Sequence, residues 1–265
     1  MSFVASNMTT IGFEATTMED FEALAERVRR EGRAVPAPHG GYRVWPDGPE
    51  QVWVSLRADG RVAGLNPHFE GTARIRVAVV ATARDERFPM DGSVSAWADP
   101  DGNEPESGQY PFRVDLPDFD AAVDGLELPW FGELQVAMFA RGLTCWPDDA
   151  AYEAAERDRW GERPGTDRRQ VKGFAAESFI PTGSFALPGK DEEWAGPTAE
   201  ALFTGHVRSS ELRANAATGR AFRHLVVRTL GGEYDVVADP QVVDGSPVEG
   251  GVVRASGWLS GRRLR

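Results

Sequence analysis

Four histidines, one cysteine and a surplus of carboxylates are the residues of this chain whose chemistry reaches beyond packing. His39, His68, His206 and His224 stand in no H-x-H, H-x-x-x-H or H-E-x-x-H spacing, so a zinc site built on one helix is excluded. His68 follows Asn66-Pro67 and precedes Glu70, a position at a strand end where a general base or a ligand contact would fit. His206 and His224 fall on neighbouring predicted strands, where the two rings would face each other or solvent. Cys145 in LTCWPDD ends an apolar run and precedes Trp146, which reads as a packed thiol rather than a nucleophile. Asp99, Asp101, Glu104 and Glu106 in WADPDGNEPESG approach calcium-loop spacing, but no glutamate stands at the twelfth position, so a solvated acidic turn is expected. G-x-S-x-G, G-x-x-x-x-G-K-[ST] and G-x-G-x-x-G are all absent, which removes the usual hydrolase elbow and nucleotide loops. Trp45 and Trp53 flank one predicted hairpin beside Arg43 and Arg57. With His68 and Glu70 they are the candidate ligand-binding residues.

Those side chains need elements to hold them, and 265 residues suffice for one large domain or two smaller ones. TMEDFEALAERVRREG, 17–32, places Phe21, Leu24, Ala25 and Val28 on one helical stripe. Thr17 with Asp20 has the form of a capping box. TTIGFEA, 9–15, is β-prone. Strands are predicted within 41–48, 51–69, 74–85, 92–98, 110–116 and 133–146, with Asp59-Gly60 as a hairpin turn, and a helix over 148–159 capped by Asp148. From Ala199 onward the pattern is strand, turn at 215–219, strand, a Gly231-Gly232 turn, strand, and a last strand in 250–264. The expected class is α+β, mainly antiparallel sheet with few helices. The expected organisation is an acidic α+β domain (1–160), a Gly/Pro-rich connection (161–198) packed on the surface, and a small β-barrel-like module (199–265).

Net charge is -12, which argues against nucleic acid and anionic membranes as partners. The nine Arg and seven Asp/Glu after position 198 leave the C-terminal part at +2 and the rest at -14. No apolar run reaches the length of about 20 residues that a membrane helix needs. The opening MSFVASNMTT lacks the pattern of a signal peptide, and a lone cysteine forms no internal disulfide, so a cytoplasmic location is expected.

The order strand, helix, strand, strand, strand over 9–69, with YRVWPDGPEQVWVSL following the helix, resembles the βαβββ module of the vicinal-oxygen-chelate superfamily. That resemblance implies a metal-dependent enzyme, with Glu14 and His68 nearest to the family's ligand positions, although no second module follows. The C-terminal strands resemble an OB-like barrel, which implies single-stranded nucleic-acid binding through Arg208, Arg213, Arg220, Arg223 and Arg228. The stretches GLNPHFEG, WADPDG, FAAESFIPTG, GGEYDVVADP and GWLSGR resemble a protein family of unassigned function in high-GC actinobacteria, and this implies no activity. No catalytic constellation stands out. The chain therefore reads as a non-catalytic binding or accessory protein for a protein or small molecule, an immunity-type protein being one form, with no cofactor. The metal-dependent enzyme and the nucleic-acid binder are the alternatives.

Overall fold

The computed structural model describes residues 6–86, 88–161, 174–185 and 196–264. Thr17 caps α1 (Met18–Glu31): its side-chain oxygen accepts from the Asp20 N–H, and the Asp20 carboxylate accepts from the Thr17 N–H at 2.9 Å. The buried Ala25 and Val28 and the half-buried Phe21 and Leu24 pack on Val52, Val54 and Leu56, as the stripe predicts.

Residues 9–15 are not the strand that their composition suggests. Thr9–Ile11 make one 3-10 turn closed by Gly12 at φ 79°. The cause lies two hundred residues away. Asn215 Nδ2 donates to the Ile11 carbonyl at 2.7 Å and Thr218 Oγ1 to the Gly12 carbonyl at 2.6 Å, so side chains occupy the acceptors a strand would pair. The βαβββ order thus lacks its first strand. α1 is followed instead by an antiparallel meander of β1 (Arg33–Ala37), β2 (Gly40–Trp45), β3 (Glu50–Arg57) and β4 (Val62–Phe69), in that spatial order. The β3–β4 turn carries Gly60 at φ 81°, as Asp59-Gly60 foretold.

A second, ten-stranded sheet holds β5 (Ile75–Arg84), β6 (Gly92–Ala98), β7 (Pro111–Asp115), β8 (Trp130–Trp146), β9 (Ser178–Ile180), β10 (Glu200–Ala214), β11 (Ala221–Thr229), β12 (Gly232–Ala238), β13 (Val243–Asp244) and β14 (Val252–Arg263). Its path runs β11-β12-β8-β5-β6-β7-β14-β10-β9, and further pairings join β11 to β10 and β8 to β14. These curl the sheet back on itself without a clearly closed ring. The architecture is therefore mixed α+β, mostly strand with few helices, and mainly antiparallel. Among the described residues no helix is long and apolar enough to cross a membrane.

β8 is buried on both faces, which explains its near-continuous apolar run. Leu134, Val136, Met138 and Ala140 face the core inside the curl, while Ala137 and Phe139 face the core shared with α1 and the small sheet. β14 pairs with β8 from Val252 to Arg263, and β12 pairs with it in parallel, so strands from before and after the 161–198 connection share one sheet. Of that connection, Phe179 in β9 is buried and stacks on Tyr110 at 4.1 Å. Trp194 lies outside the described residues. α3 (Asp149–Gly161) begins where Asp148 Oδ1 accepts from the Ala151 N–H at 2.8 Å. It is held to β14 by an ion pair between the buried Glu156 and Arg254.

The C-terminal hairpin differs from expectation by one residue. Thr229 pairs with Gly232, so the two-residue turn is Leu230-Gly231, with Gly231 at φ 79°. Tyr234, Val236 and Ala238 share the face inside the curl with Leu225 and Val227, while Val226 is left half-buried. A Cβ at Gly231 would lie 3.0 Å from both Ala98 Cβ and Tyr110 Cε1. Gly231→Val should therefore cost about 2 kcal/mol, from positive-φ strain as well as crowding. Urea unfolding checks this, and an unchanged midpoint would show that the turn is not held as described.

Candidate functional site

The six residues singled out from sequence do not converge. His68 is fully buried, its Nδ1 3.0 Å from Ser260 Oγ. Burial, reinforced by the Arg262 guanidinium, pushes its imidazole down to about 3, so it is neutral in the folded chain at ordinary pH. Trp53 is buried as well, donating to Gln51 Oε1 at 2.9 Å beneath Arg262. Trp45 lies under Arg27 and beside Phe13, where it anchors α1. Arg43 donates to the Gly32 carbonyl and shares a shallow 350 Å³ cleft with Arg57. Glu14, the other metal candidate, is ion-paired with Arg220. Among the described residues no three His, Cys, Asp or Glu side chains gather closely enough to hold a metal.

Glu70 lines a 480 Å³ cleft with Gln51, Arg33, Arg213 and His224. Behind His224 stands a buried polar chain. Asp235, fully buried, accepts from His224 Nε2 at 2.8 Å, Gln135 Nε2 at 2.9 Å, and the N–H groups of Thr72 and Ala73. The turn at Gly71 wraps the carboxylate so closely that a Cβ there would come within 2.1 Å of it. The charged groups at the cleft are paired: Arg213 meets Glu211 and Glu50, Arg33 meets Asp47, and Glu70 meets Arg262, while the His224 ring lies 3.2 Å from Glu211. His206 sits opposite Arg228, while His224 sits opposite Glu211, so the two histidines do not meet. Burial pushes the Cys145 thiol up to about 11, which suits the packed-thiol reading.

A different cleft, at the seam between the two sheets, holds two carboxyls, Asp91 and Asp115, with no ion pair among the described residues. Its 310 Å³ lobe is lined by Asn66 of β4, Arg84 at the end of β5, Asp91 and Ser93 at the start of β6, Arg113 and Asp115 of β7, and Trp258 of β14. Asn66, Asp115 and Trp258 also wall a second lobe of 390 Å³, floored by Met8, Phe21, Leu65 and Pro67. Strand alternation explains the placement. Phe112 and Val114 point into the core, so Arg113 and Asp115 point out to the seam. Ser93 pairs with Asp115, and Asp91 stands two residues before it, which makes the carboxylates diagonal neighbours with Cα atoms about 7–8 Å apart.

Both carboxyls are perturbed in the same direction. Burial, then the charges of Asp85 and Asp115, push Asp91 up to about 6 against the hydrogen bonds of Asn66 and Ser55. Burial pushes Asp115 up to about 6, opposed by the Trp258 indole N–H, which donates to it at 2.6 Å, and by Arg113. Arg84 is turned away to Asp120, at 2.6 Å, and to the Pro89 carbonyl. Arg113 reaches the Pro197 carbonyl. Two half-buried carboxyls that exchange protons near neutrality, beside an amide and an indole in a two-lobed cleft, are the arrangement most suited to holding a ligand. None of the four was selected from sequence. The available signal was the polar face of FRVD in β7, which alternation alone sends away from the core. Comparisons with protein-family models, curated proteins and solved structures find no match for the chain.

Proposed function

We propose that the chain is a small-molecule binding protein whose ligand occupies the seam cleft. The observation that supports this most is that Asp91 and Asp115 line one cavity without an ion-pair partner among the described residues, while the charged residues of the Glu70–His224 cleft are all paired. Holding two such carboxyls at a half-buried seam is costly to the fold, and a ligand would offset that cost. The cleft lies between the β4 edge of the small sheet and the β6–β7–β14 part of the large one.

Screening a mixed set of neutral, acidic and basic fragments by NMR tests the reading. The Trp258 indole N–H and the Asn66 side-chain amide should shift with a genuine ligand, and Trp258→Phe should weaken its binding by about tenfold. Hits that move only signals of the Glu70–His224 cleft, or no hits at all, would place the function elsewhere.

A further inference from the structure

The second lobe of the seam cleft adds the side chains of Met8, Phe21, Leu65 and Pro67, with Ser6 and Asn7, to the polar groups of the first, and the combination describes a ligand. We infer that this ligand is a small organic amine, its ammonium seated between Asp91 and Asp115 and its apolar body in the lobe floored by Met8, Phe21, Leu65 and Pro67; this rests on the seam cleft being the ligand site. Carboxylates that are diagonal neighbours leave room for one ammonium to donate to both, since its three N–H groups diverge from one nitrogen. Arg84 is held by Asp120 and the Pro89 carbonyl, and Arg113, which reaches the Pro197 carbonyl, lowers the Asp115 carboxyl from a distance without forming an ion pair with it.

The site is more than its acids. Asn66 spends an amide N–H on Asp91 Oδ1 at 3.2 Å, which leaves its amide oxygen as an acceptor. Ser55, only 1% exposed, sets its hydroxyl against Asp91 across Gly64, where a Cβ would lie 2.5 Å from Asp91 Oδ2 and 2.9 Å from Ser55 Oγ, and its hydrogen bond helps hold the Asp91 carboxylate. The glycine keeps open the space in which carboxylate and hydroxyl face each other. The indole of Trp258 lies along the boundary of the two lobes, where its face suits a cation and its body an apolar chain. The remaining charged groups around the pair are Asp85 and Arg84 from β5 and its turn, Arg113 from β7 and Glu200 from β10. A carboxylate ligand would meet repulsion there. The net charge of -12 further concentrates cations near the surface.

Ammonium binding requires ionised carboxylates, so affinity should rise as pH climbs through about 6, where both groups lose their protons, and binding below that range should release protons. Hexylamine, hexan-1-ol and hexanoate share one tail and differ in the head group. Titrations followed at the Trp258 indole N–H, with calorimetry in two buffers of different ionisation enthalpy, separate them. Hexylamine should bind at least about tenfold more tightly than hexan-1-ol at pH 7.5, and that advantage should shrink by pH 5. Asp91→Asn and Asp115→Asn should each weaken hexylamine by about tenfold and hexan-1-ol by much less, while Leu65→Trp, which narrows the second lobe, should weaken both. Hexan-1-ol shifting Trp258 as strongly as hexylamine would overturn the amine and leave the cleft standing. Preference for hexanoate, or silence toward all three probes, would also overturn it, and the wider fragment screen then decides the cleft.

Discussion

Asp235→Ala should lower the folding stability by about 3–5 kcal/mol, the cost of removing one partner from a buried charged network. Its carboxylate is sealed from solvent and accepts from four N–H groups: His224, Gln135 and the backbone of Thr72 and Ala73. Alanine leaves all four donors without their acceptor. The loss reaches both sheets, because Gln135 Nε2 also donates to the Phe69 carbonyl at the end of β4. Asp235→Asn keeps the volume and one acceptor oxygen and should cost less than half as much. Urea unfolding of both variants checks the order. Equal, small effects would mean that the network is ornament to the packing around it.

The seam carboxyls should make the chain less stable as the solution becomes more alkaline. Asp91 and Asp115 have folded values near 6, above the ordinary 3.8, so the folded chain holds their protons more tightly than the unfolded chain does. Their favourable contribution is fully present below pH 3.8 and is lost as pH rises through about 6. At pH 7.5, Asp91→Asn and Asp115→Asn should each stabilise the chain by about 1–3 kcal/mol, the upper figure being the full linkage value and the lower one allowing for partial solvation. At pH 3.5 the same variants should be close to neutral. Asp120 runs the other way. Burial works to raise its carboxyl, but the His39 N–H, Arg84 and the His39 ring together hold it below the usual range, so its contribution is lost on acidification. His68 also works against the seam carboxyls, because its depressed imidazole adds stability as pH rises through the ordinary 6.5. The difference between wild type and the Asn variants is therefore the test: a gain at pH 7.5 no larger than that at pH 3.5 would contradict the raised values.

Local patterns made the elements legible. The stripe of Phe21, Leu24, Ala25 and Val28, the Thr17–Asp20 cap and the alternation of β3 each report on neighbours a few residues away, where propensity and periodicity act. The failures share a different cause. Residues 9–12 turn because Asn215 and Thr218 take the Ile11 and Gly12 carbonyls, and His68 is buried with Ser260 against it. The seam cleft joins Asn66, Asp115 and Trp258 from three strands of two sheets with Asp91 from the turn before β6. Nothing in the surroundings of any one of them marks it, because each is an ordinary polar or aromatic residue at a strand or turn position. The Leu230-Gly231 turn was missed by one residue because either of two adjacent glycines could supply the positive φ, and only the Thr229–Gly232 pairing chooses between them.

The long pairing of β8 with β14 also bears on how the chain is made. A ribosome delivers β8 more than a hundred residues before the strand that lies against it from Leu134 to Trp146. Until Val252–Arg263 emerges, one edge of β8, the longest strand among the described residues, is a bare row of amides and carbonyls. A nascent chain stalled in that interval would offer other nascent chains a template for pairing, and the non-local closure makes the last step slow. Stop codons placed before Val252 should thus yield inclusion bodies rather than a shortened soluble product, and holdase chaperones should engage this interval of synthesis.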